Sequence, residues 1–210
     1  MITTKETLLL QKRAGIITEG QYRKKIEEIE NIYELDDKEK EVVDDIKDEV
    51  SAVLKGMENE LTKAAEKEQP TNEGLLTIAS IAVALPAVMG LVAKLGKSAG
   101  NIVNKVLGKK PNDESEYQQW MTKLGHIADE LHHLYMSPIE SIVKKFIKDE
   151  TKAKKVASGI FHLIVATFLI ASGVTAVKAI QAKNLSLATL ETALSAIKGG
   201  EIKTFIQNLV

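Results

Sequence analysis

Within the stretch GHIADELHHLY, residues 125–135, three of the chain's four histidines fall beside two carboxylates. His126, Glu130 and His133 follow one another at steps of four and three, so on a helix they share one face. Two imidazoles and a carboxylate form a ligand set that zinc or another divalent ion accepts. The order differs from the His-Glu-x-x-His arrangement of metalloproteases, and no second ligand group elsewhere completes a site. His132 and His133 more often serve as polar-face residues beside the Leu131 and Leu134 stripe of an amphipathic helix. In GLVAKLGKSAG, Gly96, Lys97 and Ser98 follow Gly90, but a phosphate-binding loop places four residues between its glycines, and Leu91 stands where the first glycine belongs. There is no cysteine, which excludes disulfides, thiolate metal sites and a thiol nucleophile. Paired carboxylates, a nucleophile elbow and a glycine-rich cofactor loop cannot be assembled from the remaining residues. The sequence therefore reads as non-enzymatic, with no cofactor and no assigned metal site.

The elements that would carry these residues are helical. Aromatic content is only 4%, and Ala, Ile, Leu, Val, Lys and Glu dominate the 210 residues, the composition of an all-α protein. The net charge of −1 conceals an asymmetry along the chain. Residues 1–26 carry six basic and two acidic side chains, residues 27–68 six and sixteen, and residues 74–210 sixteen and ten. An acidic stalk thus precedes a basic, apolar-rich body, with the clearest break at the polar stretch EKEQPTNEG. Two domains are expected on this basis, 1–70 and 71–210. The start, MITTKETLLLQKR, shows no long apolar run behind a basic flank, so no cleavable signal peptide is expected.

At the amino terminus, Thr3 with Glu6 and Thr18 with Gln21 have capping-box spacing, and Gly15 is placed to end a first helix. Leu9, Leu10, Ile16, Ile17, Tyr22, Ile26 and Ile29 would close a small hairpin core. The order in LLLQKRAGIITEGQYRKKIEEI, leucines, a Gly-x-Ile-Thr turn, an aromatic and a lysine-rich helix, resembles the SHOCT-type short helical module over residues 5–30. That resemblance implies oligomerisation or tethering, although such modules usually lie at the carboxyl end, and it assigns no catalytic residue. Similar AGIIT segments are common in predicted phage proteins, which raises a virion component by analogy.

From Asp36 to about Glu68, Val43, Ile46, Val50, Val53 and Met57 recur at steps of three and four. They form the seam of an amphipathic helix about 45 Å long, available either for a coiled coil and self-association or for packing on the same chain. From Tyr117 to Tyr135 a second amphipathic helix is expected, and Ser137-Pro138 restarts a third with Ile139, Ile142, Val143, Phe146 and Ile147 on one side. An amphipathic helix over 185–197, stopped by Gly199-Gly200, closes the chain.

Two long segments lack the charged face that such helices normally keep. GLLTIASIAVALPAVMGLVA, residues 74–93, is uncharged, and VASGIFHLIVATFLIASGVTAV, residues 156–177, has His162 as its single ionisable group. Both meet the roughly twenty residues needed to cross about 30 Å of hydrocarbon. Leu75, Leu76, Ile78, Ile81, Leu85 and Leu91 in the first, and Ile160, Phe161, Leu163, Ile164, Phe168, Leu169 and Ile170 in the second, are the candidate inserting side chains. Lys94, Lys97, Lys152, Lys154 and Lys155 flank them at headgroup positions. Small residues four apart, Ala153 with Ala157, Thr167 with Ala171 and Ser172 with Ala176, favour close helix contact. Pro86 suits either a kinked span or a loose core helix.

The leading expectation is a non-enzymatic membrane-associating helical protein that anchors in or permeabilises a bilayer through this apolar hairpin, inserted constitutively or from a soluble shell. The alternative is a structural or packaged component of a phage-like virion, with the hairpin buried and virion proteins as partners. Self-association through residues 36–68 accompanies either reading. No nucleic-acid partner is expected, since the lysine clusters lack interleaved aromatics or a known module.

Overall fold

A computed structural model describes residues 5–24, 35–67, 89–90, 93, 100–101, 107–108, 111–174 and 177–209. Their regular elements are all helical: α1 (Lys5–Arg13), α2 (Asp37–Lys67), α3 (Glu114–Lys144), α4 (Glu150–Ala171), a 3-10 turn (Val177–Ala179), α5 (Leu187–Gly199) and α6 (Ile202–Gln207). The protein is thus all-α, as composition implies. Contacts divide the chain into two compact units, Met1–Asp36 and Asp37–Val210. The acidic helix α2 groups with the body, whereas charge alone placed a break near residue 70. Charge reports the solvated face of a helix, while its apolar stripe decides where it packs.

The amino-terminal unit is built from local signals. Gly15, at φ +69°, ends α1 with the paired bonds of a Schellman motif, Gly15 N–H to the Lys12 carbonyl and Ile16 N–H to that of Gln11. Thr18 and Gln21 close a reciprocal capping box, with the Thr18 N–H donating to Gln21 Oε1 and the Gln21 N–H to Thr18 Oγ1. Glu19 pairs with Lys12 and with Arg23, which holds its carboxyl below the usual range. The Lys12 ammonium lies 4.8 Å from the Tyr22 ring centroid. Ile16, expected in the hairpin core, is instead 70% exposed, standing in the bend that follows α1 rather than on a helix face. Thr3, Ile26 and Ile29 lie outside the described residues.

In the larger unit, α2 packs on α3, α3 on α4, and α4 on both α5 and α6. α2 buries Val42, Val43, Val50, Val53, Leu54, Met57 and Leu61. Val43, Val50, Val53 and Met57, one of the two uses foreseen for that seam, are therefore covered within a single copy of the chain; the side chain of Ile46 lies outside the described residues. Tyr135 of α3 donates its hydroxyl to the Lys47 carbonyl of α2 at 3.3 Å, and Lys145 pairs with Glu58. α3 starts where Asp113 accepts the N–H groups of Ser115 and Glu116. It then runs through Pro138 without the expected restart at Ser137. Proline costs a helix one N–H and frees the carbonyl four residues back. Here both Pro138 and Leu134 are exposed, so solvent can reach the freed group.

α4 begins behind Asp149, which accepts from Thr151 and Lys152 N–H. From Gly159 through Leu169 every residue is buried, so its whole circumference is covered over three turns. Among the described residues it is the one helix long and apolar enough to cross a membrane. It does not run to Val177 as the sequence pattern suggested. Gly173, at φ +74°, closes it with Gly173 N–H to the Ile170 carbonyl and Val174 N–H to that of Leu169. Its uncharged portion, residues 156–171, is thus about 24 Å long. The first apolar segment lies largely outside the described residues, and with it Leu75, Leu76, Ile78, Ile81, Leu85, Leu91, Lys94 and Lys97.

Close backbone approach lets neighbours reach α4. A Cβ on the buried helical residue Gly100 would stand 2.6 Å from the Ala171 backbone, and Gly159 lies under the Leu209 side chain. Gly100→Ala is expected to destabilise by about 1–3 kcal/mol through overpacking, a fall of about 2–4 °C in Tm per kcal/mol. Gly90→Ala, at an exposed helical position with open space around it, is expected to be neutral or slightly stabilising. Thermal unfolding of the two variants side by side checks both.

Candidate functional site

The three histidines of the GHIADELHHLY stretch do not converge. His126 Nδ1 lies 3.8 Å from Oε1 of Glu39, a carboxylate buried on α2. His133 Nε2 accepts from the Asn184 side-chain amide at 3.2 Å. His132 meets the edge of Phe161 on α4, with ring centroids 5.2 Å apart. Among the described residues no group of three His, Asp or Glu side chains could hold a metal ion. The helix face foreseen from the spacing exists, but its members point to different neighbours.

What these residues build instead is a polar clip over the connection that leads into α5. Asp129 on α3 accepts two consecutive backbone N–H groups, Lys183 at 2.7 Å and Asn184 at 2.6 Å. Two residues on, the Ser186 N–H donates to His162 Nε2 on α4 at 3.1 Å. Ser186 is also the N-cap of α5, accepting from the Thr189 N–H. Two helices thus grip one short segment, and the segment starts a third. Gly125 on α3 lets the same connection approach closely, since a Cβ there would meet the Gln181 carbonyl oxygen at 3.1 Å.

The geometry fixes the protonation state of His162, which is only 3% exposed. Nδ1 lies 2.7 Å from the Ser158 carbonyl oxygen, a group that can only accept, so Nδ1 carries a proton. The Ser186 N–H can only donate, so Nε2 presents its lone pair. Both ring nitrogens are therefore used by the neutral imidazole, and the charged ring would set a second N–H against the Ser186 donor. Burial pushes the His162 pKa below its ordinary value, with the Ser158 carbonyl opposing and His132 adding to the fall. Burial also lowers that of His132, with His133 adding and Asp129 opposing. Nδ1 of His132 is buried without a hydrogen-bond partner.

The residues foreseen as inserting are the interior of this assembly. Ile160, Phe161, Leu163, Ile164, Phe168 and Leu169 are buried and Ile170 is half-buried. The hydroxyls of Thr167 and Ser172 donate to the Leu163 and Phe168 carbonyls one turn back, so α4 carries them into the core satisfied. At its amino-terminal end the picture is opposite. Lys154 and Lys155 are exposed and Lys152 half-buried. With exposed Lys148 they form no ion pair among the described residues, whereas Lys144 is paired with Glu140 and Glu150. A positive corner therefore crowns the dry helix.

Two functional features escaped the sequence reading. His162 stood out as the single ionisable group of its segment, a signal that could have marked it. Asp129 carried no such signal, because its partners are backbone groups 54 and 55 residues away.

Asp129→Ala is expected to cost about 2 kcal/mol, since two charge-assisted bonds are lost but the exposed Lys183 donor regains water; urea unfolding reads this as a lower midpoint at unchanged slope. Lowered folded-state values for His132 and His162 mean that the unfolded chain takes up protons first on acidification. Their contribution is complete above about pH 6.5, falls below it and is lost once pH passes the lowered values. Stability measured at a series of pH values from about 7.5 to about 5 is expected to decline, with the decline halved or less in a chain lacking either ring. Compared with models of protein families, with curated proteins and with solved structures, the chain finds no match.

Proposed function

We propose that this is a non-enzymatic, membrane-associating helical protein that holds α4 in reserve inside a water-facing bundle and contacts lipid when the covering helices part. One observation carries the reading: a helix that meets the length and hydropathy of a membrane span, buried around its circumference over residues 159–169, is headed by four lysines that form no ion pair among the described residues. In this packing 78% of its most apolar window is buried within the chain, so lipid contact follows unpacking rather than accompanying the folded state. A 24 Å apolar length is short of a roughly 30 Å hydrocarbon layer. Lys152, Lys154 and Lys155 would extend their alkyl stems along the helix and leave their ammoniums among anionic headgroups. The amino-terminal unit, resembling a tethering module and exposing Ile16, is proposed as the part that meets a partner.

The burial of residues 159–169 of α4 also fits a permanent core helix, and vesicle binding separates the two. Flotation with phosphatidylcholine vesicles containing phosphatidylglycerol is expected to carry the protein upward, most strongly under conditions that loosen the bundle. Replacing Lys152, Lys154 and Lys155 by Gln is expected to weaken binding by about fivefold per lysine, from about 1 kcal/mol each. A protein that stays at the bottom of the gradient under every such condition has α4 as a core helix only.

A further inference from the structure

The Ser186–His162 bond joins the one ionisable group in the buried stretch 159–169 of α4 to the N-cap of the α5–α6 pair that covers it. We infer that His162 is a proton-operated latch: protonation of its Nε2 removes the acceptor for the Ser186 N–H and releases the start of α5, with α6, from the face of α4, while Asp129 keeps its hold on the Lys183 and Asn184 N–H groups. The inference follows from fixed hydrogen-bonding roles. A carbonyl occupies one side of the ring and an amide N–H the other, so a second ring proton has no acceptor and meets a donor. Ser186 then loses the bond that anchors the N-cap of α5. Beyond the latch, α5 is joined to α6 through the Gly200 turn, and both pack on α4, so the two helices can leave as one piece.

Other charges around the ring bear on the same event. From α3, His132 abuts Phe161, which lies edge-on to His162 with centroids 6.2 Å apart; a proton on His132 adds repulsion. His133 and Asp129 stand behind His132, the carboxylate opposing the charge of the pair. The connection contributes Lys183, α5 contributes Glu191 and Lys198, α6 contributes Lys203 and the 3-10 turn Lys178, all exposed. On α4 the nearest charge along the sequence is exposed Lys155. None of these groups offers a buried carboxylate to a charged His162 ring.

The lipid arm of this inference rests on the membrane-associating reading, whereas the latch itself does not. Hydrogen exchange of the full chain, corrected for intrinsic rates, is expected to show amides of 186–207 losing protection by up to about tenfold per pH unit below 6.5, ahead of α3 and α4. His162→Gln, neutral at every pH, is expected to abolish that dependence. Should the variant fail to fold, an NMR titration of the wild-type histidine rings decides: opening must track His162, and opening that tracks His132 overturns the latch. Unchanged protection of 186–207 down to about pH 5 also overturns it. With phosphatidylcholine–phosphatidylglycerol vesicles present, opening without binding upholds the latch and rejects the membrane reading. Binding without opening does the reverse.

Discussion

A helix that is apolar on every side must be covered on every side, and α4 imposes that constraint on the rest of the molecule. Residues 159–169 are buried around the full circumference, and each large side chain among them contributes about 1.5–3 kcal/mol only while it stays dry. α3, α5 and α6 are accordingly amphipathic, each giving a stripe to α4 and a polar face to water. Gly100 and Gly159 hold partners at distances that a Cβ would forbid. The caps at Asp113, Asp149 and Ser186 satisfy the helix starts that such packing brings together.

The cover is not uniform in character. On one side, α3 is tied to α2 by a broad apolar seam together with the Tyr135 hydroxyl. On the other, α5 and α6 bury Leu190, Ala193, Leu194, Phe205 and Ile206, and the segment leading into α5 is held in addition by its backbone donors on Asp129 and His162. Apolar contact varies little with pH, whereas a hydrogen bond to imidazole exists in one protonation state only. The bundle therefore adds to its apolar packing one attachment, at Ser186, that depends on protonation.

Much of this was legible where the signal is local. Gly15 and Gly200 end helices because a Schellman turn needs positive φ, and Thr18 with Gln21 cap because their spacing fits; both are properties of a few adjacent residues. The α2 stripe was readable as a stripe, but what covers it was not, since periodicity identifies a face and not its partner. Pro138 misled because a helix tolerates proline where the freed carbonyl meets water. The apolar run to Val177 misled because Gly173 reverses the chain within it, and hydrophobicity alone does not mark the turn. The histidine site was half legible: the shared face was foreseen, yet Asp129 and His162 act through contacts across 54 and 24 residues, which no spacing rule reaches.

The most direct measurement of the central claim is native-state hydrogen exchange in neutral buffer without detergent. If α4 is stored dry inside a self-sufficient bundle, the amides of residues 159–169 are the slowest to exchange and open only with global unfolding. A chain that needs detergent to remain in solution, or α4 amides that exchange as fast as those of α1, would contradict the account.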